Sequence, residues 1–231
     1  MAWGLASFVA GTLSMVAFIC LNAYAAARLL RRGGLPYNPL LSPFENAGRL
    51  AVIGVCLLLG LISGLPAAML GWVERSPLTN LLIGAGAALV LQEMNYRGTR
   101  LVVRKLGPES YSPAFLRALL PKSRRQWVTA GLALLPAALA EELLFRSLAV
   151  GGFSYFLDPW ALAIIFAALF GLAHLPQGRL GVVGSALLGF LLGALFIWRG
   201  SLLACTVAHY GVNLAQLARG EDELRWLERQ S

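Results

Sequence analysis

Glu141 and Glu142 stand side by side about two-thirds of the way along the apolar run Trp127 to Val150, most of which is Leu, Ala or Val. An acidic side chain at the centre of a spanning helix costs roughly 2.5–3.5 kcal/mol on insertion scales. Two of them imply a polar partner, a water-filled cavity or a chemical task. Arg146 follows four residues after Glu142 and five after Glu141. On a helix the first spacing puts Glu142 and Arg146 on one face, with Glu141 pointing roughly 100° away. The division of labour this suggests is an ion pair plus a free carboxylate. The competing reading is a neutralised structural pair, with Glu141 accepting a hydrogen bond from a neighbouring helix.

Both histidines of the chain also lie in or at the edge of apolar runs. His174 closes Phe170-Gly-Leu-Ala-His174 just before Pro176, the position of a helix cap. His209 and Asn213 are one helical turn apart in the last run, and Thr206 and Gln216 extend the same stripe. Hydrogen-bonding glue between helices accounts well for Thr206 and Gln216 and less well for His209 with Asn213.

The elements that must hold these groups are membrane helices. The 231 residues are 58% hydrophobic and 13% charged, with mean hydropathy +0.70, far from the balance of a soluble domain. Seven stretches approach the length of about 20 apolar residues that a span needs: Leu5–Ala27, Leu50–Trp72, Leu78–Leu91, Trp127–Val150, Phe156–His174, Val182–Trp198 and Leu202–Leu217. The third is short, and the fifth and seventh carry polar groups, so the range is six to eight. The fold class is an all-α polytopic transmembrane bundle.

The net charge of +8 sits mainly in two places: Arg28, Arg31 and Arg32 after the first run, and the segment from Arg97 to Arg125 before the fourth. The positive-inside rule makes both loops cytoplasmic, with the N-terminus outside and the tail Arg219–Ser231 inside. The basic excess reflects topology and attraction to anionic lipid; no basic patch interleaves with aromatics as nucleic-acid binding would require. Ala23-Tyr24-Ala25 resembles a cleavage site, but no basic residue precedes the first run and three arginines follow it, so the run reads as an uncleaved anchor. Cys20, Cys56 and Cys205 lie in spans without metal-type spacing and read as small hydrophobes. Gly33–Asn46 reads as an irregular loop, Tyr111–Leu120 as a helix at the cytoplasmic interface, and Gly181, Ser185, Gly189 and Gly193 as a groove for close helix packing.

Taken together, Glu141-Glu142-Leu-Leu-Phe-Arg146, Phe170-Gly-Leu-Ala-His174 and His209-Tyr-Gly-Val-Asn213, in this order and on separate spans, resemble the three motifs of the CAAX-protease and bacteriocin-processing (CPBP or Abi) intramembrane endopeptidases. That family includes type II CAAX prenyl endopeptidases and lysostaphin-resistance-A-like proteins. The resemblance covers about 126–218, the catalytic core of one bundle in which N-terminal spans and a basic loop occupy 1–125 and a short charged cytoplasmic tail occupies 219–231. It further implies that Glu141 activates water, His174 holds that water, His209 and Asn213 donate to the oxyanion, and Glu142 with Arg146 supports them.

The substrate would be a membrane-anchored or lipid-anchored protein or peptide, and the location a bacterial inner membrane. In the competing version Glu141, His174 and His209 hold Zn²⁺. The metal-free version is preferred because His-Glu-x-x-His is missing and Glu141 cannot be both ligand and free base. An ion- or proton-coupled transporter and a non-catalytic immunity or assembly factor are the alternatives from other classes. Glu141 lies fifteen residues into its run, about 22 Å deep, while His174 ends a helix returning to the cytoplasm. Bringing them together requires a conical, hydrated cavity open to the cytoplasm, with Glu141, His174, His209 and Asn213 at its floor.

Overall fold

The computed structural model describes residues 2–35, 37–107, 110–111 and 113–229. All of its regular elements are helical: α1 (Ala2–Arg32), α2 (Pro43–Ser63), α3 (Pro77–Leu106), α4 (Pro113–Leu119), α5 (Arg124–Glu142), α6 (Pro159–Ala173), α7 (Gly178–Arg199) and α8 (Leu202–Glu228). A π-helical segment, Leu143–Gly152, continues α5 directly. Among the described residues four stretches are long and apolar enough to cross a membrane: Trp3–Arg32, Pro43–Ser63, Arg124–Tyr155 and Leu175–Arg199. This makes the chain an integral membrane protein. Pro159–Ala173 is apolar but shorter, and α3 and α8 do not reach the same hydropathy.

Local chemistry explains several boundaries. Ser42 caps α2 through the Glu45 amide, with Pro43 as first helical residue, so the helix starts inside the stretch expected to be irregular and ends at Gly64, whose φ is 70°. The second span is therefore displaced from Leu50–Trp72, and residues 64–72 form turns. Asp158 caps α6 by accepting from the amides of Trp160 and Ala161, and Pro176 follows closely on its C-cap residue His174. The short helix α4 falls within the interfacial stretch Tyr111–Leu120; Ser112 in that stretch, and Gln230 and Ser231 of the tail, lie outside the described residues.

The core forms around the π-helical segment, all ten residues of which are buried. Phe8 of α1, Phe166 and Phe170 of α6, and Leu144, Phe145 and Leu148 of the segment belong to one apolar cluster. Trp72 donates from Nε1 to Ser147 Oγ at 2.8 Å, and Ser147 donates to the Leu70 carbonyl at 2.7 Å, tying the turn after α2 to the segment. Gly151 presses so close to that turn that an added Cβ would sit 2.5 Å from the Met69 carbonyl oxygen. Against α6, the small-residue groove of α7 works as read: Cβ atoms at Gly189 and Gly193 would meet Phe170 and Ala163 at 3.0 and 3.1 Å. The three cysteines are free thiols, two of them fully buried, in agreement with their reading as small hydrophobes.

Candidate active site

Glu141 and Glu142 are the last two residues of α5, at the point where the helix widens from α to π. Pro136, inside the same helix, removes one backbone donor a turn earlier. Local π geometry is uncommon and is found disproportionately at functional sites.

Glu142 is fully buried. Its Oε1 accepts from Nδ1 of His209 at 2.7 Å and lies 3.2 Å from Nη1 of Arg146, the ion pair that the spacing suggested. Arg146 in turn donates from Nη2 to the Gly189 carbonyl at 3.2 Å and lays its guanidinium 4.5 Å from the centre of the Phe170 ring. The bond from Glu142 to His209 was not legible in the sequence, because it joins residues 67 positions apart on different helices.

Glu141 points away from this pair. Its Oε2 is 3.8 Å from Nε2 of His174 and 3.8 Å from Nε2 of His209, and takes no hydrogen bond among the described residues. His174, as C-cap of α6, donates from Nδ1 to the Phe170 carbonyl at 2.7 Å, and its ring lies 4.5 Å from that of Phe170. A carbonyl can only accept, and so can the ionised Glu142, so in each neutral imidazole the proton is on Nδ1 and the Nε2 lone pair faces Glu141. Two further features escaped sequence reasoning. Arg49 of α2, held by Asn46 Oδ1 at 2.7 Å and the Pro39 carbonyl at 3.3 Å, attracts Glu141 electrostatically. Beside the imidazoles opens a cavity of about 120 Å³.

His174, His209 and Asn213 line that cavity, but Glu141 does not; its side chain is 31% exposed beside it. The cavity extends between α3 and α8 toward Tyr111, Arg219 and Glu223. There, burial and the neighbouring Glu223 carboxylate push the Tyr111 phenol up to about 12. Burial likewise raises Glu223, opposed by the guanidinium of Arg100. Thr206 bonds the Leu202 carbonyl of its own helix at 2.9 Å and is not interhelical glue, and Gln216 opens onto the cavity. Glu141 and His174 are reconciled by helix length: Arg124–Tyr155 spans 32 residues, about 48 Å if α-helical throughout, well beyond the roughly 30 Å of bilayer hydrocarbon.

Among the described residues no three His, Cys, Asp or Glu side chains are set to hold a metal ion. Glu141 Oε2 is 3.8 Å from each imidazole Nε2, wider than the roughly 3.3 Å between neighbouring ligands of a tetrahedral zinc ion about 2 Å from each.

Carboxylates and imidazoles that converge beside a polar cavity in a helical membrane protein are groups able to move protons to and from a bound molecule. Residues 123–215 match the model of the Rce1-like family, described as type II CAAX prenyl endopeptidase. Over this segment, which holds all three motifs, the chain is similar to the CAAX protease family of membrane proteases. No curated protein and no solved structure matches the chain.

Proposed function

We propose that the protein is an intramembrane endopeptidase that hydrolyses a peptide bond in a prenylated or otherwise membrane-anchored substrate through a water activated by Glu141. The observation that carries this reading is the approach of Glu141 Oε2 to 3.8 Å from both imidazoles, contributed by α6 and α8. A water 2.8 Å from two atoms that far apart subtends about 85°, so one molecule touches the carboxylate and an imidazole together.

In the proposed reaction Glu141 takes a proton from this water while the oxygen attacks the carbonyl carbon. The resulting oxyanion accepts from Nδ2 of Asn213 and from Nε2 of His209. His174 orients the water, and Glu141 then passes its proton to the departing amine as the C–N bond breaks. His209 already uses Nδ1 toward Glu142, so its service to the oxyanion requires a second ring proton. Glu142 and Arg146 fix that ring. Residues 126–218 form the catalytic core of one bundle. The basic loops, read by the positive-inside rule, support a cavity mouth on the cytoplasmic side of a bacterial inner membrane, with the N-terminus outside.

The test is cleavage of a farnesylated peptide ending in Cys-Val-Ile-Met by protein reconstituted in nanodiscs. Glu141→Gln is expected to lower the rate by about 10²–10⁴-fold with thermal unfolding unchanged. Cleavage is expected to survive a chelator; total loss that zinc restores would replace this mechanism by a metal-dependent one. Full activity in Glu141→Gln would remove the protease assignment to this site.

A further inference from the structure

The cavity beside the imidazoles has an unusual chemical lining. Among the described residues, Asn22, Asn38, Asn46, Asn80 and Gln126 lie elsewhere, and each has a side-chain hydrogen bond: to the Phe18 carbonyl, the Leu119 carbonyl, the Leu40 carbonyl, Glu74 and the Lys122 amide respectively. The other five described carboxamides, Gln92, Asn95, Gln177, Asn213 and Gln216, all line the cavity, and none has a side-chain hydrogen bond among the described residues. Gln92 is the sharpest case, because it is only 6% exposed and its Oε1 is buried with no partner. A buried acceptor left unpaired costs about 1–3 kcal/mol, a cost that a ligand able to donate a hydrogen bond would remove.

A carboxamide carries the same N–H donors and C=O acceptor as a peptide group, so a wall of carboxamides complements a bare polypeptide backbone. The wall also has the right shape. His209, Asn213, Gln216 and Glu223 follow one stripe of α8, and Gln92, Asn95, Tyr96 and Thr99 follow a matching stripe of α3. From His209 to Glu223 is about 21 Å along the helix, the length of about six residues of extended chain.

We propose that the α3–α8 cavity is the groove in which an extended polypeptide lies, held through its main chain by these carboxamides, with Gln92 Oε1 accepting from a substrate backbone N–H. This deepens the proteolytic reading and rests on it for the choice of ligand. It also makes α3, outside the segment that matches the family, part of substrate recognition.

The probe is a fluorescein-labelled farnesylated peptide ending in Cys-Val-Ile-Met, bound to the Glu141→Gln protein in nanodiscs and followed by anisotropy, alongside analogues with single N-methylated backbone amides. Gln92→Met, which keeps the side-chain length, is expected to raise Kd about three- to tenfold. One N-methyl position is expected to weaken binding to the same extent and to cost nothing more in Gln92→Met, the non-additivity of two groups that touch. Gln216→Met is the second variant, with the same expectation at a different N-methyl position. Absence of saturable binding, unchanged Kd in both variants, or fully additive losses would overturn the groove. Wild-type cleavage of the peptide is scored separately. Cleavage with Kd insensitive to both variants sinks the groove alone, whereas Gln92-dependent binding without cleavage sinks the proteolytic reading and leaves the groove standing.

Discussion

Replacing Glu142 by Gln tests the internal wiring of the site more sharply than replacing the proposed base. The side chain is fully buried, and its Oε1 is shared between His209 Nδ1 at 2.7 Å and Arg146 Nη1 at 3.2 Å. The substitution keeps the shape and removes the charge. A charge pair at 3.2 Å is worth about 5 kcal/mol at an effective dielectric constant near 20, and leaving one buried partner uncompensated costs about 3–5 kcal/mol. Arg146 then keeps only the Gly189 carbonyl and the face of Phe170. The carboxamide also offers His209 a choice of oxygen or NH₂, so the imidazole loses the constraint that keeps its proton on Nδ1 and its Nε2 toward Glu141. Glu142→Gln is therefore expected to unfold at lower temperature by tryptophan fluorescence and to lose about 10²-fold or more in peptide cleavage. Adding Arg146→Met, which removes the stranded cation, is expected to recover much of the stability and none of the activity. Recovery of activity in the double variant, or wild-type behaviour of the single one, would refute the view that Glu142 acts on catalysis through His209.

Asn213→Ala is expected to reduce kcat by about 10²–10³-fold with KM changed less than about threefold, the pattern for a donor used only in the transition state, read by steady-state peptide cleavage. Gly84→Ala would bring a Cβ to 2.6 Å from the Ala204 carbonyl oxygen and 2.9 Å from Val207 Cβ, prising α3 from α8; a loss of about 1–3 kcal/mol in denaturant unfolding is expected. For Glu223, burial raises the carboxyl in the folded state, so the fold binds this proton more tightly than the unfolded chain does. Stability from this group thus falls as pH rises through the unfolded and then the folded value. Glu223→Gln should gain a few degrees in unfolding temperature at about pH 7 and nothing at about pH 4, measured in one buffer series.

The site was legible in the sequence as far as each motif is local. Glu142 and Arg146 declare their contact by spacing, and His209 with Asn213 by falling one turn apart on the same helix; the three motifs together also point to the family that the matched segment bears out. The α helices were legible from apolar runs, but their ends were not always, because Ser42 and Pro43 start α2 before the apolar residues begin. The π-helical segment has no signal of its own: Leu143–Gly152 reads as ordinary apolar helix, and its form depends on packing around every residue. Contacts between helices were illegible for the same reason. The bond from Glu142 to His209, the reach of Arg49 toward Glu141, and the clustering of unpaired carboxamides are products of packing among α2, α3, α5 and α8.

The proton inventory joins these contacts into one requirement. Each ring spends its Nδ1 hydrogen on an atom that can only accept, the Phe170 carbonyl or Glu142, so two neutral rings turn lone pairs toward Glu141 Oε2, which also offers only lone pairs. Three acceptors can converge without conflict only if hydrogens lie between them. A water supplies two, one to Glu141 and one to His174, and its oxygen can then accept from His209 if that ring carries its second proton. Charge needs no such proton: Arg49 faces Glu141 and Arg146 faces Glu142, so two guanidiniums stand against two carboxylates while both rings are neutral, the balance that a site among apolar helices favours, since each uncompensated charge at membrane depth is costly. In the proposed mechanism the second proton on His209 is therefore a demand of amide cleavage and not of burial, needed while an oxyanion is present to offset its charge.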